Sequence, residues 1–280
     1  MRTADAWRKG LLVWYEGPAV FASIVFTWQL PTVRKMARLY ADRTITVGGP
    51  AVEAMPDYFA DAPNVVKGAP LPGVLQRFNP LATRTSTGCK YDCSFCSVRQ
   101  REGELKELAD WPDLPVIVDN NLLACSLPHF DKVIDRLKKH PDVDFNQGVD
   151  CRHITEYTAK RLAEVPRAII RLALDNAKRK PAWEAAFELL RTAGISKSRI
   201  RSYAVIADTS VLNYTSTPDE AWERCLWIEE HGVKPLPMWF HETHALTHNV
   251  VTELQQDMGW DDYERRRIMQ WFYQHKKAVA

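Results

Sequence analysis

The sequence predicts an α/β fold built around parallel strands. Two observations carry this expectation. From residue 81 onward, short apolar runs alternate with stretches whose apolar residues recur at helical spacing. Many of those helical stretches are also bracketed by recognisable start and stop residues. With 280 residues and 46% hydrophobic content, the chain can bury a sizeable core as one main domain.

The elements follow in order. Residues 81–87 form a candidate first strand that runs into a cysteine-containing loop, and a short helix is expected over 103–110. Pro115-Val116-Ile117-Val118-Asp119 is a short apolar run of the kind buried parallel strands show. Residues 127–140 carry Phe130, Val133, Ile134 and Leu137 at helical spacing. A third strand is expected over 143–149, then a helix over 155–165 with Thr155 as N-cap. Residues 168–174 make the clearest strand. The next helix starts near Pro181, a favoured first-turn residue, and stops at Gly194. A fifth strand spans 200–206. Thr217-Pro218-Asp219-Glu220 then forms a capping box with proline at the first helical position, and that helix ends at Gly232. Residues 234–240 complete a sixth strand. Six βα repeats imply right-handed parallel crossovers but are too few to close an eight-stranded barrel. A partial, open (β/α)6 barrel is therefore expected.

Composition narrows the function. A formal net charge of +2 lacks the strongly basic footprint of a nucleic-acid scaffold. No apolar run approaches the length of a transmembrane helix, and residues 1–10 lack the form of a cleavable signal. A reducing, cytoplasmic setting without membrane association is expected.

The chemistry concentrates in Gly88-Cys89-Lys90-Tyr91-Asp92-Cys93-Ser94-Phe95-Cys96, where three cysteines stand at C-x3-C-x2-C. Cysteine thiolates are the usual ligands of iron–sulfur clusters. Three on one tight loop can hold three irons of a cubane and leave the fourth open to a substrate or cofactor. Structural zinc normally takes four ligands in two close pairs, and the next cysteine is Cys125. Disulfides are disfavoured, since three thiols on one loop cannot pair off.

This spacing, with Phe95 just before the last cysteine, resembles the signature of the radical S-adenosylmethionine (SAM) superfamily. The resemblance covers roughly residues 80–241. It implies a partial TIM-like barrel of the radical SAM type, with Cys89, Cys93 and Cys96 ligating a 4Fe–4S cluster whose open iron chelates SAM. It also implies reductive cleavage of SAM to methionine and a 5′-deoxyadenosyl radical, which abstracts hydrogen from the substrate. An external one-electron reductant, flavodoxin- or ferredoxin-like, is implied. Tyr91, Ser94 and Phe95 would pack around the cluster and adenine. No cysteine precedes Cys89 and none follows Cys225, which argues against subclasses with a second cluster. Cys125, Cys151 and Cys225 are expected to be small core residues. The remaining substrate classes are a small metabolite, a nucleoside or a nucleobase.

Ligands of such barrels bind at the carboxyl ends of the strands. That rule nominates Asp119 and Asn120 after the second strand, Asn146, Gln147, Asp150 and Arg152 on the third, Arg171 and Asp175 on the fourth, and Arg201, Tyr203 and Asp208 on the fifth. The segment Asp119-Asn120-Asn121 departs from the family's usual Gly-Gly-Glu. A buried Arg171 needs a partner, either Asp150, Asp175 or a ligand carboxylate; the alternative is a structural ion pair. Asp150, Arg171 and His241 are the candidate catalytic residues. His241, His244 and His248 would share one face of a helix and form a metal site or proton relay, the plainer alternative being a polar loop.

The first 80 residues are a separate piece. Strands at 10–15, 22–27 and 44–47, a helix at 31–40 and Gly48-Gly49-Pro50 resemble a shortened, Rossmann-like cobalamin-binding domain. The family's cobalt-binding histidine has no counterpart, because no histidine precedes His129. Residues 51–80 are expected to be a linker, residues 81–248 the barrel, and residues 249–280 a helical extension broken at Gly259. That extension places Arg265, Arg266, Arg267, Lys276 and Lys277 among Trp271, Phe272 and Tyr273. It would either close the open side of the barrel or bind nucleic acid by stacking and charge. An iron–sulfur electron-transfer module without SAM cleavage is the other competing class.

Overall fold

A computed structural model describes residues 3–69, 71–210 and 216–274. The chain divides into two compact units. One takes in the chain up to Ala82 together with His241–Asn249; the other comprises Thr83–Phe240 and the chain from Val250 onward. Both are α/β, and among the described residues no barrel closes.

The first unit contains helix α1 (Thr3–Lys9), strands β1 (Leu11–Glu16) and β2 (Ala19–Ile24), helix α2 (Leu30–Leu39), strand β3 (Ile45–Gly48), helix α3 (Pro50–Ala54), strand β4 (Val65–Lys67) and helix α4 (Val74–Phe78). Its sheet runs β1-β2-β3-β4, with β1 antiparallel to β2 and the other pairs parallel. Residues 51–80 are thus not a plain linker, because β4 extends the sheet in register with β3. Val20, Ile24, Leu30, Val33, Ile45 and Val47 build the unit's core.

Strand β5 (Ala82–Thr83) spans the boundary, and the second unit goes on with β6 (Ser86–Thr87), α5 (Val98–Glu102), β7 (Lys106–Glu107), β8 (Val116–Ile117), α6 (Leu127–Leu137), β9 (Asp144–Phe145) and α7 (Glu156–Ala163). It continues with β10 (Ile170–Ala173), α8 (Lys180–Thr192), β11 (Ile200–Ile206), α9 (Pro218–Glu230), β12 (Lys234–Trp239), α10 (Glu253–Asp257) and α11 (Asp262–Gln274). Two three-stranded sheets, β5-β8-β9 and β10-β11-β12, meet through a parallel bridge between Asp144 and Ile169. Pairing is parallel in β8–β9, β10–β11 and β11–β12. Trp183, Phe130, Phe145, Ile170, Leu172 and Ile200 fill the space between strands and helices.

The caps explain the helix limits. Thr155 accepts from the Thr158 N–H in a capping box at the start of α7, and Thr217 accepts from the Glu220 N–H at the start of α9. Two further expectations are corrected. The segment 103–110 is not helical: α5 ends at Glu102, and Lys106 and Glu107 pair back on Thr87 and Ser86 as an antiparallel ribbon. The expected strand 81–87 splits in two, because the carboxylate of Asp119 takes the N–H groups of Thr85 and Ser86 that would otherwise serve a ladder. Among the described residues no helix is long and apolar enough to cross a membrane.

Candidate functional site

The three cysteines lie on the loop from β6 to α5, each partly exposed and none in a disulfide. Backbone bonds shape the loop. The Cys89 N–H donates to the Gly103 carbonyl at 3.3 Å, the Cys96 N–H to the Cys93 carbonyl at 2.9 Å, and Arg99 donates to the Cys89 carbonyl at 3.1 Å. Gly88 has a left-handed φ of +69°, and a Cβ there would run into the Glu104 carbonyl oxygen, so glycine is required just before the first cysteine. Burial pushes the Cys93 thiol above its ordinary value, while Arg179 and Arg152 pull it down. Burial also raises Cys96, and the neighbouring Cys93 and Cys89 add to that rise.

The loop forms one wall of a cavity of about 490 Å³. Tyr91, Asp92, Cys93, Ser94 and Phe95 face Arg152, the stretch 175–179, Asp208, Ser216 and Glu220 across it. These residues follow the carboxyl ends of β6, β9, β10 and β11, so the cavity sits where parallel α/β sheets place their ligands. Four ties hold the loop. The Tyr91 hydroxyl and His153 Nε2 are 2.6 Å apart, and the Arg152 guanidinium lies 3.7 Å over the Tyr91 ring. Ser210 donates to Ser94 at 3.1 Å. Glu102 accepts from the Gly88 N–H at 3.0 Å.

The nominated residues separate into two groups. Asp175 lines the cavity beside Arg179; burial raises its carboxyl, with Arg179 and then Arg224 opposing. Asp150 sits just behind the wall, where it accepts from Arg152 Nε at 2.8 Å and from Asn121 at 3.1 Å. Burial is the largest single influence and works against its charge, but Arg152 and Asn121 together outweigh it and hold the carboxyl below the usual range. Asn120 donates to Glu102 at 2.8 Å and to the Gly88 carbonyl at 3.3 Å, so it braces the loop. Asp119 is buried, its oxygens taken by Thr85 and Ser86, and it organises the strand that leads into the loop.

The other nominated residues lie elsewhere. Arg171 stands near the amino end of β10 and pairs with Asp144, donating to its Oδ2 at 3.0 Å. Its partner is therefore neither Asp150 nor Asp175, and the structural ion pair is what forms. Arg201 is the second residue of β11 and donates to the Ser198 and Ile200 carbonyls at 2.6 and 2.8 Å, at the opposite strand end from Asp208. Tyr203 donates to the Asn146 carbonyl at 2.6 Å, the Asn146 amide donates to Asp144 at 3.4 Å, and Gln147 is exposed. His241 belongs to the first unit. No helix forms over 241–248, and Trp28 packs against His241 and His248 with ring centroids 4.5 and 4.8 Å apart. His244 is exposed.

Sequence reasoning missed Asn176, Lys178 and Arg179 on the cavity wall. Their signal was available: they directly follow the carboxyl end of the clearest strand. The basic residues of α11 are paired locally, Arg265 and Arg266 sharing Asp262 and Arg267 meeting Glu264, while Ile268 and Phe272 are buried. This is the arrangement of a packed helix. Lys276 and Lys277 lie outside the described residues.

The donor set can be tested against the group the resemblance implies. Thiolates sharing one tetrahedral zinc ion stand only about 4 Å apart. Among the described residues no three His, Cys, Asp or Glu side chains converge closely enough for a single ion. The cysteines are nonetheless near enough to perturb one another's ionisation. A cubane takes each thiolate on a different iron, so three cysteines on one loop that do not converge on a single ion are the donor type such a cluster uses. No model of a known protein family matches the chain, and no curated protein matches it.

Proposed function

We propose that this chain is a radical SAM enzyme in which Cys89, Cys93 and Cys96 hold a 4Fe–4S cluster and the adjoining cavity receives SAM and substrate. The observation that carries the reading is the set of three thiols on one loop, with Cys93 in the wall of a cavity at the carboxyl ends of parallel strands. The strands β5, β8, β9, β10, β11 and β12 follow one another in chain order, which supports a partial (β/α)6 barrel as the finer description of the fold.

When bound, the cluster and SAM supply reductive cleavage and hydrogen abstraction. The chain's own residues bind and orient. The Asp175 carboxylate offers an acceptor for an ammonium group, and the Arg179 guanidinium offers paired donors for a carboxylate. Phe95 and the Tyr91 ring, held by Arg152 and His153, keep water from the reacting centre. A cavity of about 490 Å³ has the size of a small-ligand site, which favours a small molecule, nucleoside or nucleobase as substrate. An external flavodoxin- or ferredoxin-like reductant and a cytoplasmic setting belong to the same proposal.

The test is anaerobic reconstitution of the full chain with iron and sulfide, then dithionite and SAM. Formation of 5′-deoxyadenosine that Cys93→Ala abolishes is the expected result. A chain that takes up no cluster overturns the proposal. A cluster without SAM binding transfers it to the electron-transfer class.

A further inference from the structure

We propose that Glu102 is a positioning residue that pre-forms the cysteine loop before iron arrives. The consequence for metal rests on the reading of the three cysteines as cluster ligands; the geometry does not. Glu102 is the last residue of α5, with its side chain 17% exposed. Its Oε2 accepts from three donors: the Gly88 N–H at 3.0 Å, Arg84 Nη1 at 3.1 Å and Asn120 Nδ2 at 2.8 Å. Asn120 also donates to the Gly88 carbonyl at 3.3 Å, so both polar groups of the residue before Cys89 are held. The next residue is held too, with the Cys89 N–H on Gly103 and the Cys89 carbonyl on Arg99.

None of these holding groups is a thiol. The backbone at the first cysteine is therefore held by the carboxylate, by α5 and by Asn120, all through groups that are not metal ligands. A loop ordered only on binding would subtract its ordering entropy from the affinity for the cluster. The Glu102 carboxylate removes that cost in advance. It closes residues 88–102 into a collar tied at both ends.

Hydrogen exchange on the full chain before iron is added reads the collar directly. In Glu102→Ala, the Gly88 and Cys89 amides exchange about tenfold faster, the change that about 1.4 kcal/mol of lost hydrogen bonding brings. After reconstitution, the same variant loses iron to a chelator faster than wild type. Glu102→Gln keeps an amide oxygen for the Gly88 and Asn120 donors but loses the charge facing Arg84, and so restores both readouts in part. Asn120→Ala removes one donor and serves if Glu102→Ala does not fold, as thermal melting reports. Unchanged exchange in the folded variants overturns the proposal, whatever the iron content. A wild-type chain that takes up no iron overturns the cluster reading instead, and leaves exchange to decide the role of Glu102.

Discussion

The carboxylate of Asp119 receives two hydrogen bonds from Thr85, one from its N–H and one from its hydroxyl, each 2.6 Å long. A third comes from the Ser86 N–H at 2.7 Å, and His129 Nε2 lies 3.1 Å from the Thr85 hydroxyl. The contact ties the end of β8 to the strand that feeds the cysteine loop. Asp119→Ala leaves two buried N–H groups without acceptors and is expected to destabilise the fold by about 3 kcal/mol. Asp119→Asn, which keeps one carbonyl oxygen, loses clearly less. Urea unfolding of the two variants checks both.

Gly88→Ala places a methyl group against the Glu104 carbonyl at a left-handed φ. The loop has to shift, so iron uptake falls steeply while the global fold suffers only about 1–3 kcal/mol of local strain. Iron and sulfide content, read beside the circular dichroism melt, separates the two effects.

Replacing Cys89, Cys93 or Cys96 with serine abolishes iron retention. The same change at Cys125 or Cys151 spares it, because burial lifts those thiols to about 11 and about 12 and each serves local packing. Iron quantification across the five variants is the check. Retention by any of the first three would remove that residue from the ligand set.

Arg171 and Asp144 form a partly buried pair near the amino ends of β9 and β10. Asp144→Leu strands the guanidinium and costs about 3 kcal/mol of stability. The double variant Asp144→Leu with Arg171→Met recovers most of that loss. SAM binding by the reconstituted double variant stays at the wild-type level, which an Arg171 that held the SAM carboxylate would not allow.

The Asp150 carboxyl lies below its ordinary value in the folded chain, because Arg152 and Asn121 outweigh burial. A group depressed by folding binds fewer protons in the native state. Its stabilisation is fully present above the unfolded value of about 3.9 and disappears as pH falls through the folded value. Asp150→Asn therefore loses less stability than wild type on acidification from pH 6 toward the acid limit. Urea midpoints across that range test the sign.

Much of the second unit was legible from residue patterns. β11 occupies the predicted residues 200–206, and Thr155 and Thr217 cap the predicted helices. These features are local: apolar alternation, hydroxyl caps and glycine stops act within a few residues of where they stand. Two of the failures share one cause. The 103–110 segment became a strand because β6 offered it a partner, and 81–87 split because Asp119, more than thirty residues away, took its N–H groups. Both outcomes were set by groups distant in sequence.

The candidate site divides along the same line. The sequence alone nominates Cys89, Cys93 and Cys96 as a candidate ligand set, since their spacing and the thiol chemistry are properties of nine consecutive residues. It also nominates the residues after each strand. Which of those reach the cavity was decided only in three dimensions. Arg171 and Arg201 stand near the amino ends of their strands and find partners there, while Asp175 and Arg179 follow the carboxyl end and line the cavity. His241 joins Trp28 across more than two hundred residues in the first unit. Chemical identity is written residue by residue, whereas a charged side chain's role depends on which counter-charge or donor the folded backbone brings within reach, because burial makes an unpaired charge too costly to leave.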